Sequence, residues 1–402
     1  MDRAATPEYV VWELTLQCDL ACRHCGSRAG RARPDELSTE EALDLVAQMA
    51  DMGVKEITVI GGEAYLREDW QTIVRAITDA GIEVGMTTGG RGITPELARQ
   101  ALDCGIDGIS VSVDGLRETH DHLRAVKGAY DQAMKALQYC KDAGIHIAVN
   151  TQICRPTLHE MEPLLEVLSE TGIHAWQVQL TVAMGRAADH PELLLQPFQM
   201  IEVMPMVARV ARRSRELGIR LWPGTNVGYF GPYESLIRDD MPHQHGLGCH
   251  AGKRGMGIEA NGDLKGCPSL PTDAYAGGNV RDNSVRDVWE RAAPMRFNRT
   301  RGTEDLWGHC ATCYYADVCK AGCTWTGHVL FGRRGNNPYC HHRALELLRA
   351  GRRERIEPAT PAEGQPFDHG TYALIEEDWP AQLLPRAHEL AASGEGWLPA
   401  ES

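Results

Sequence analysis

No run of eighteen apolar residues occurs in this 402-residue sequence, which excludes a membrane-spanning helix. The opening residues, MDRAATPEYV, hold no apolar signal core, so nothing marks the chain for export. Positive charge is in deficit: 41 Lys and Arg stand against 55 Asp and Glu, for a formal net charge of −14. That balance argues against a nucleic-acid-binding face. It suits a basic peptide or a redox partner, and simple solubility explains it equally well. Thirteen cysteines spread over so long a chain do not make a small secreted disulfide scaffold. A reducing cytoplasm is the expected setting, because free thiolates survive there.

The length allows two or three domains with an ample core. Residues 9–16 alternate and are rich in β-branched and aromatic types, so they predict a strand. Ser38-Thr-Glu-Glu41 is a capping box opening a helix to about residue 52. Further strands are expected at 55–60, 83–88, 108–113, 145–152 and 175–182, with helices near 70–79, 95–104, 130–143 and 160–170 between them. Each strand reads as nearly all apolar, as in a parallel sheet buried on both faces. Six such units predict an α/β fold, a partial (β/α)6 TIM-like barrel, with its chemistry on the loops after the strand C-termini. One more amphipathic helix is expected at 198–217. The Gly/Pro/aromatic stretch 222–233 reads as an irregular connection. An Asn261-Gly262 turn predicts a hairpin across 258–265. The boundaries that result are 1–228 for the barrel, 229–248 for a connection, 249–348 for a small cysteine-rich domain and 349–402 for a tail. The Arg, Glu and Pro content of that tail suggests a peripheral or partly ordered segment. No repeat beyond the β/α alternation is visible.

The loop after the first strand carries Cys18, Cys22 and Cys25, spaced Cys-x3-Cys-x2-Cys. Three thiolates from one short loop can hold three irons of a cuboidal 4Fe–4S cluster and leave the fourth iron open. A zinc loop is the competing reading. Zinc knuckles set ligand pairs further apart, and the only other ligand nearby, His24, adjoins Cys25. After the second strand stands Gly61-Gly62-Glu63, where glycines permit close backbone approach and a carboxylate can accept from a cationic amine.

The two motifs together resemble the signature of radical S-adenosylmethionine (radical SAM) enzymes. The resemblance implies that the amino and carboxylate groups of the methionine moiety of SAM chelate the open iron, and that the reduced cluster passes an electron to the sulfonium and releases a 5′-deoxyadenosyl radical. It implies that Gly61, Gly62 and Glu63 contact SAM, with Ala64 standing where most relatives have proline. The segment Ser110-Val-Ser112-Val-Asp114-Gly115 with His120, Asp121, Arg124 and Gly128 resembles the fourth-strand region of one branch. There Ser112 would face the ribose and Arg124 the SAM carboxylate, a match that suits a guanidinium. His24 stands where relatives often place a ring against adenine. Gln152, Gln177 and Gln179 are further candidates to line the cavity, or strand-end groups satisfied by backbone.

A second set reads Cys249-x12-Gly262-x4-Cys267, then Cys310-x2-Cys313-x5-Cys319-x3-Cys323, then Cys340. It resembles the SPASM extension, which carries two auxiliary 4Fe–4S clusters. The resemblance implies Cys249, Cys267 and Cys323 on auxiliary cluster I, and Cys310, Cys313, Cys319 and Cys340 on auxiliary cluster II. A two-zinc domain on the same thiolates is the alternative. Residues 250–257 lack the extra cysteine of fully ligated relatives, so cluster I is expected to have an open iron or a non-cysteine ligand. Pro268 stands where sulfatase-maturing relatives have a basic Asp, which disfavours formylglycine formation. Cys104, Cys140 and Cys154 fall outside both sets and read as core residues.

The resemblance points to three clusters, SAM, an external low-potential electron donor and a ribosomally made peptide as substrate, oxidised or cross-linked by hydrogen abstraction. Because eight residues precede the first strand, leader recognition is expected from a separate protein, the tail or the barrel mouth. The alternatives are a small molecule or tetrapyrrole as substrate, or, in another class, an iron–sulfur carrier or zinc protein without radical chemistry.

Overall fold

A computed structural model describes residues 5–399 except 240, 242, 243 and 247. Residues 1–4, 240, 242, 243, 247 and 400–402, parts of the expected barrel, connection and tail, lie outside the described residues. The chain alternates β1 (Tyr9–Glu13), α1 (Thr39–Asp51), β2 (Glu56–Ile60), α2 (Trp70–Asp79), β3 (Glu83–Thr88), α3 (Pro95–Asp103) and β4 (Gly108–Ser112). It continues through α4 (Arg117–Arg124), α5 (Ala129–Ala143), β5 (His146–Ile153), α6 (Met161–Ser169), β6 (Ala175–Leu180), α7 (Arg186–Asp189), α8 (Met200–Glu216) and β7 (Arg220–Pro223). Local chemistry sets the helix ends. Ser38 accepts from the Glu41 N–H while the Glu41 carboxylate accepts from the Ser38 N–H, which starts α1. Gly144, at φ 91°, ends α5 in the left-handed conformation a side chain would resist.

β1 to β7 pair in order and in parallel, and β1 and β7 do not pair with each other, so the barrel is incomplete. The strands are not equally buried on both faces, contrary to the all-apolar reading. Outward positions such as Trp12, Ile57, Val59, Met86, Val111, Val149 and Trp176 are buried in the helical layer. Each such side chain contributes about 1.5–3 kcal/mol. Inward positions are polar and half-buried: Thr58, Thr87, Ser110, Ser112, Asn150, Gln152, Gln177 and Gln179. An open barrel has too few strands to fill its lumen with apolar packing, so its inner wall stays polar.

The seventh strand lies where a linker was expected. It is short, contains proline and pairs only with β6, so it carries little strand signal. On the other edge, β8 (Gly255–Ile258) pairs in parallel with β1, and β9 (Asp263–Lys265) and β10 (Ala276–Asn279) extend the sheet antiparallel. One ten-stranded sheet therefore runs from the barrel into the cysteine-rich region. No helix among the described residues is long and apolar enough to cross a membrane.

The stretch after 349 is folded rather than peripheral or partly ordered. β11 (Arg352–Thr360) and β12 (Thr371–Asp378) form an antiparallel hairpin whose charges pair across the strands, as in Arg352–Glu376 and Arg353–Glu377. Ile356, Tyr372 and Trp379 join the main core, and Trp379 meets Phe198 edge to face at 5.4 Å. Composition misled because alternating opposite charges that look solvating in sequence are cross-strand partners here. The hairpin tip reaches the barrel mouth, where the Gly185 N–H donates to the Asp368 carbonyl and Arg28 Nε lies 2.6 Å from the Asp368 carboxylate. Trp379→Ala is therefore expected to lower the unfolding free energy by about 3 kcal/mol in a denaturant titration. An unchanged midpoint would mean that the hairpin contributes nothing to the core.

Candidate active site

The end of β1 delivers Cys18, Cys22 and Cys25 to a cavity of about 900 Å³ at the C-terminal mouth of the barrel. The loop is pinned from several sides. The Cys18 N–H donates to the Gly30 carbonyl (3.1 Å), and the Arg23 N–H to the Leu123 carbonyl (2.8 Å). The Arg186 side chain donates to the carbonyls of Cys22 (2.7 Å) and Ala29 (3.0 Å). Gly61 and Gly62 sit directly against this loop: a Cβ on either would overlap the carbonyl oxygen of Thr15 or Gln17. Their smallness thus serves the fit of the second strand's loop under the cysteine loop.

Glu63 is fully buried. Its carboxylate accepts from Thr88 Oγ1 (2.5 Å) and the Gly89 N–H (2.6 Å). Burial raises its pKa to about 7 against the opposing effect of those two donors. Asp114, 0 % exposed, is the charge around which the opposite wall is arranged. It meets Arg124 Nη2 at 2.5 Å and His24 Nε2 at 3.1 Å, and it accepts from the Gln152 N–H at 2.8 Å. Burial alone would raise its pKa, but Arg124 and then His24 hold it well below the usual carboxylate range. Its own N–H donates to His120 Nδ1 (3.0 Å), and burial, then Arg124, lowers the His120 pKa to about 4.

Ser112, Gln152 and Gln179 line the same cavity as the three cysteines, Glu63, His24 and Arg124. Gln177 does not: it lies deeper in the lumen with Tyr9, Ser110, His146 and His174. Asp114, Thr88 and Arg186 are site residues that sequence reasoning passed over. Asp114 stands in the quoted Ser-Val-Asp segment, but its partners come from the cysteine loop, α4 and β5, and no spacing reveals them.

The cysteines fit an iron–sulfur group. Cys22 Sγ takes an N–H from Arg124 (3.6 Å), and Cys18 Sγ takes the Leu20 N–H (3.4 Å). Leu20, Ala129 and Val126 pack around them. Burial, then Glu63, pushes the Cys18 thiol up to about 12, so a thiolate there needs a cation. Cys18 also comes within 4.8 Å of Asp19 and Glu63, but Glu63 already holds Thr88 and Gly89, and neither acid groups with Cys22 or Cys25.

Seven further cysteines fall into two groups. Cys249, Cys267 and Cys323 act on one another's charge, as do Cys310, Cys313, Cys319 and Cys340. Cys323 thus sits away from its sequence neighbours. Tyr229 stands between the groups: its hydroxyl accepts from the Cys323 N–H (2.9 Å), and its carbonyl faces Cys340 Sγ (3.7 Å). Cys104 and Cys140 are buried in the main core, and Cys154 is buried beside Leu123 and Leu193. His341, next to Cys340, stacks on Tyr233.

Residues 12–168 match the radical SAM superfamily, and residues 249–314 match the SPASM iron–sulfur cluster-binding domain. The AdoMet-dependent heme synthase of Nitratidesulfovibrio vulgaris is 30% identical over 86% of this chain and 95% of its own length. The mycofactocin maturase MftC of Mycolicibacterium smegmatis is 29% identical over 79% and 78%. The chain belongs to the radical SAM family and carries a SPASM domain. Among solved structures, Streptococcus suis SuiB bound to S-adenosylmethionine matches with a TM-score of 0.62 at 19% identity, over 80% of this chain and 74% of that one. Native anSMEcpe with bound AdoMet and Cp18Cys peptide matches at 0.66 and 14%, over 84% and 94%. These two likenesses show the fold.

The Glu63 shift sets a pH dependence for the cofactor-free protein. Between about pH 4.5 and 7 the folded state keeps a proton that the unfolded chain releases, so folding weakens as pH rises through that window. Glu63→Gln removes this titration. Its stability relative to the parent is expected to grow by on the order of 3 kcal/mol from pH 4.5 to 7, read by denaturant unfolding. A gap that stays flat with pH would mean that Glu63 is not held in a raised state.

Proposed function

We propose that the protein cleaves SAM reductively and abstracts a hydrogen atom from a ribosomally made peptide, giving an oxidised or cross-linked product. Residues 1–228 would form the radical-generating unit, and 249–348 the auxiliary-cluster unit, joined by 229–248 and followed by 349–402. Cys18, Cys22 and Cys25 would hold the SAM cluster. Cys249, Cys267 and Cys323 would hold one auxiliary cluster, and Cys310, Cys313, Cys319 and Cys340 the other. A cluster held there would supply the electron for reductive cleavage of SAM.

The chain's own residues bind and orient the cofactor. Gly61 and Gly62 bring backbone under the cysteine loop. Glu63, already raised toward neutrality by burial, would accept from the SAM amino group, whose positive charge favours the ionised carboxylate. Arg124 keeps its guanidinium against Asp114 and Cys22, with Nε unpartnered and buried, ready to meet the SAM carboxylate. Ser112 would face the ribose and His24 the adenine.

The observation that carries the choice of peptide is the state of the cations at the mouth. Arg28 is committed to Asp189 and Asp368, Arg33 to Glu259 and Lys265 to Glu259. A macrocycle with several free carboxylates finds no uncommitted cation among these three, whereas a peptide needs none. The maturase relatives, MftC and the PqqA peptide cyclase of Rhizobium meliloti, support this choice. The heme synthase relatives favour a second reading, an iron porphyrin as substrate.

Cys22→Ala is expected to abolish 5′-deoxyadenosine formation, and Cys313→Ala to leave SAM cleavage measurable while stopping product. Full SAM cleavage in the first variant would sink the radical reading. Unchanged product yield in the second would make the auxiliary clusters structural. Substrate class is decided by deuterium transfer into 5′-deoxyadenosine from two candidates. One is a short Cys-rich peptide encoded beside the gene, and the other is an iron porphyrin bearing propionates. Label from the peptide is expected; label from the porphyrin alone would overturn the peptide reading.

A further inference from the structure

Arg301 directly follows the helix Ala293–Thr300 and is 5 % exposed. Its Nη1 donates to Thr324 Oγ1 (3.0 Å) and lies 3.5 Å from Asn298 Oδ1. Thr324 is the residue after Cys323. Asn298 in turn donates to the carbonyls of Cys249 (3.2 Å) and Ala251 (3.1 Å). The guanidinium is therefore fixed between Thr324, which adjoins Cys323, and Asn298, which holds the Cys249 carbonyl. Its Nε and Nη2 are buried and meet no acceptor among the described residues. The carboxylate whose charge acts on it, Asp305, is engaged by Arg334 at 3.2 Å.

A guanidinium stays protonated in a protein, and a buried charge without a partner costs several kcal/mol. The site therefore calls for a buried anion. Three thiolates around an iron–sulfur core supply it, since such a group carries net negative charge and more of it when reduced. This need for an anion is itself a fit between the residues present and a cluster.

We propose that Arg301 is the counter-charge and hydrogen-bond donor of the cluster held by Cys249, Cys267 and Cys323, and that it raises the reduction potential of that cluster. The proposal rests on the reading that these three thiols hold a cluster. A fixed cation and N–H donors favour the reduced form over the oxidised one. The arginine beside the four-cysteine group, Arg343, differs in being paired with an acid: its Nη atoms meet Asn336 (2.7 Å) and Glu354 (2.5 Å), and its Nε alone is left without a partner.

The consequence is a direction for electrons. Trp325 packs against the apolar cluster of Ala251, Leu270, Tyr275 and Phe297 that Cys249 and Cys267 also flank, and on its other side it joins the cluster of Val182, Met184, Val329 and Phe367, with its Nε1 2.9 Å from Met184 Sδ. The three-cysteine group is thus joined to the mouth through one side chain. In its oxidised form it would take one electron from the substrate radical as the product bond forms and a proton leaves to water. An external one-electron carrier protein would reoxidise it.

The test is a redox titration followed by electron paramagnetic resonance on the reconstituted full chain carrying Cys18/Cys22/Cys25→Ala, which leaves only the auxiliary groups. Loss of a signal in Cys267→Ala assigns the three-cysteine wave. At its midpoint, Arg301→Gln is expected to lower the reduced-to-oxidised ratio at least about tenfold, ~59 mV for one electron, with the other wave unmoved. A ratio within about twofold of the parent, at full iron content, overturns the proposal. If Arg301→Gln fails to retain iron, Arg301→Lys decides, because it keeps the charge and loses the planar fork of donors. An intermediate fall supports the proposal, and the parent ratio overturns it. If Cys267→Ala removes neither iron nor a wave, the cluster reading itself fails, which is a separate outcome.

Discussion

Asp114 carries a negative charge with no access to water, and the radical-generating site is assembled around keeping that charge matched. A buried carboxylate is tolerated only where cations and N–H donors surround it. Here they come from three parts of the chain: Arg124 from α4, His24 from the cysteine loop and the Gln152 N–H from β5. The same Arg124 reaches Cys22 Sγ. One ion pair thus links the cysteine loop to the far wall of the cavity. Glu63 makes the complementary arrangement on the near wall. It is held by Thr88 and Gly89 without a cation, so it stays close to neutral until a cationic ligand arrives. The two walls differ in electrostatic character, as expected for a site that receives an amino acid with an amine at one end and a carboxylate at the other.

The open barrel explains why such a polar cavity exists. Strands that alternate between an apolar outer face and a polar inner face give a helical layer that is fully packed and a lumen that is not. The edge freed by not closing the barrel is used: β8 pairs with β1 and carries the sheet into the SPASM region. The strand that leads to the cysteine loop is therefore hydrogen-bonded on both sides, which stiffens its delivery of Cys18, Cys22 and Cys25. The buried network of Glu13, Arg33, Glu259 and Lys265 crosses the same seam and ties the two regions by charge as well as by backbone.

The C-terminal hairpin adds a third wall. Its tip brings Phe367 under Lys265 Nζ at 3.8 Å and Asp368 against Arg28, so cations that would otherwise face the mouth are occupied by the chain itself. Charge at the mouth is balanced within the protein, and charge at Arg301 is not. That contrast separates the surface a substrate meets from the interior that an anionic cofactor completes.

The sequence by itself determined the alternation of strands and helices, the α1 capping box and the cysteine spacings, because each is a local pattern that its own residues enforce. Gly61-Gly62-Glu63 was legible for the same reason. The reason both glycines are needed was not, since it lies in the carbonyls of Thr15 and Gln17 on another segment. Only the tertiary structure decided that Asp114 is the hub, that Gln177 lies deeper in the lumen than the site, and that the described residues after 349 fold. Asp114 finds partners from other elements, and the hairpin charges neutralise one another across strands. Composition and spacing describe neighbours along the chain, whereas burial and charge compensation are properties of neighbours in space.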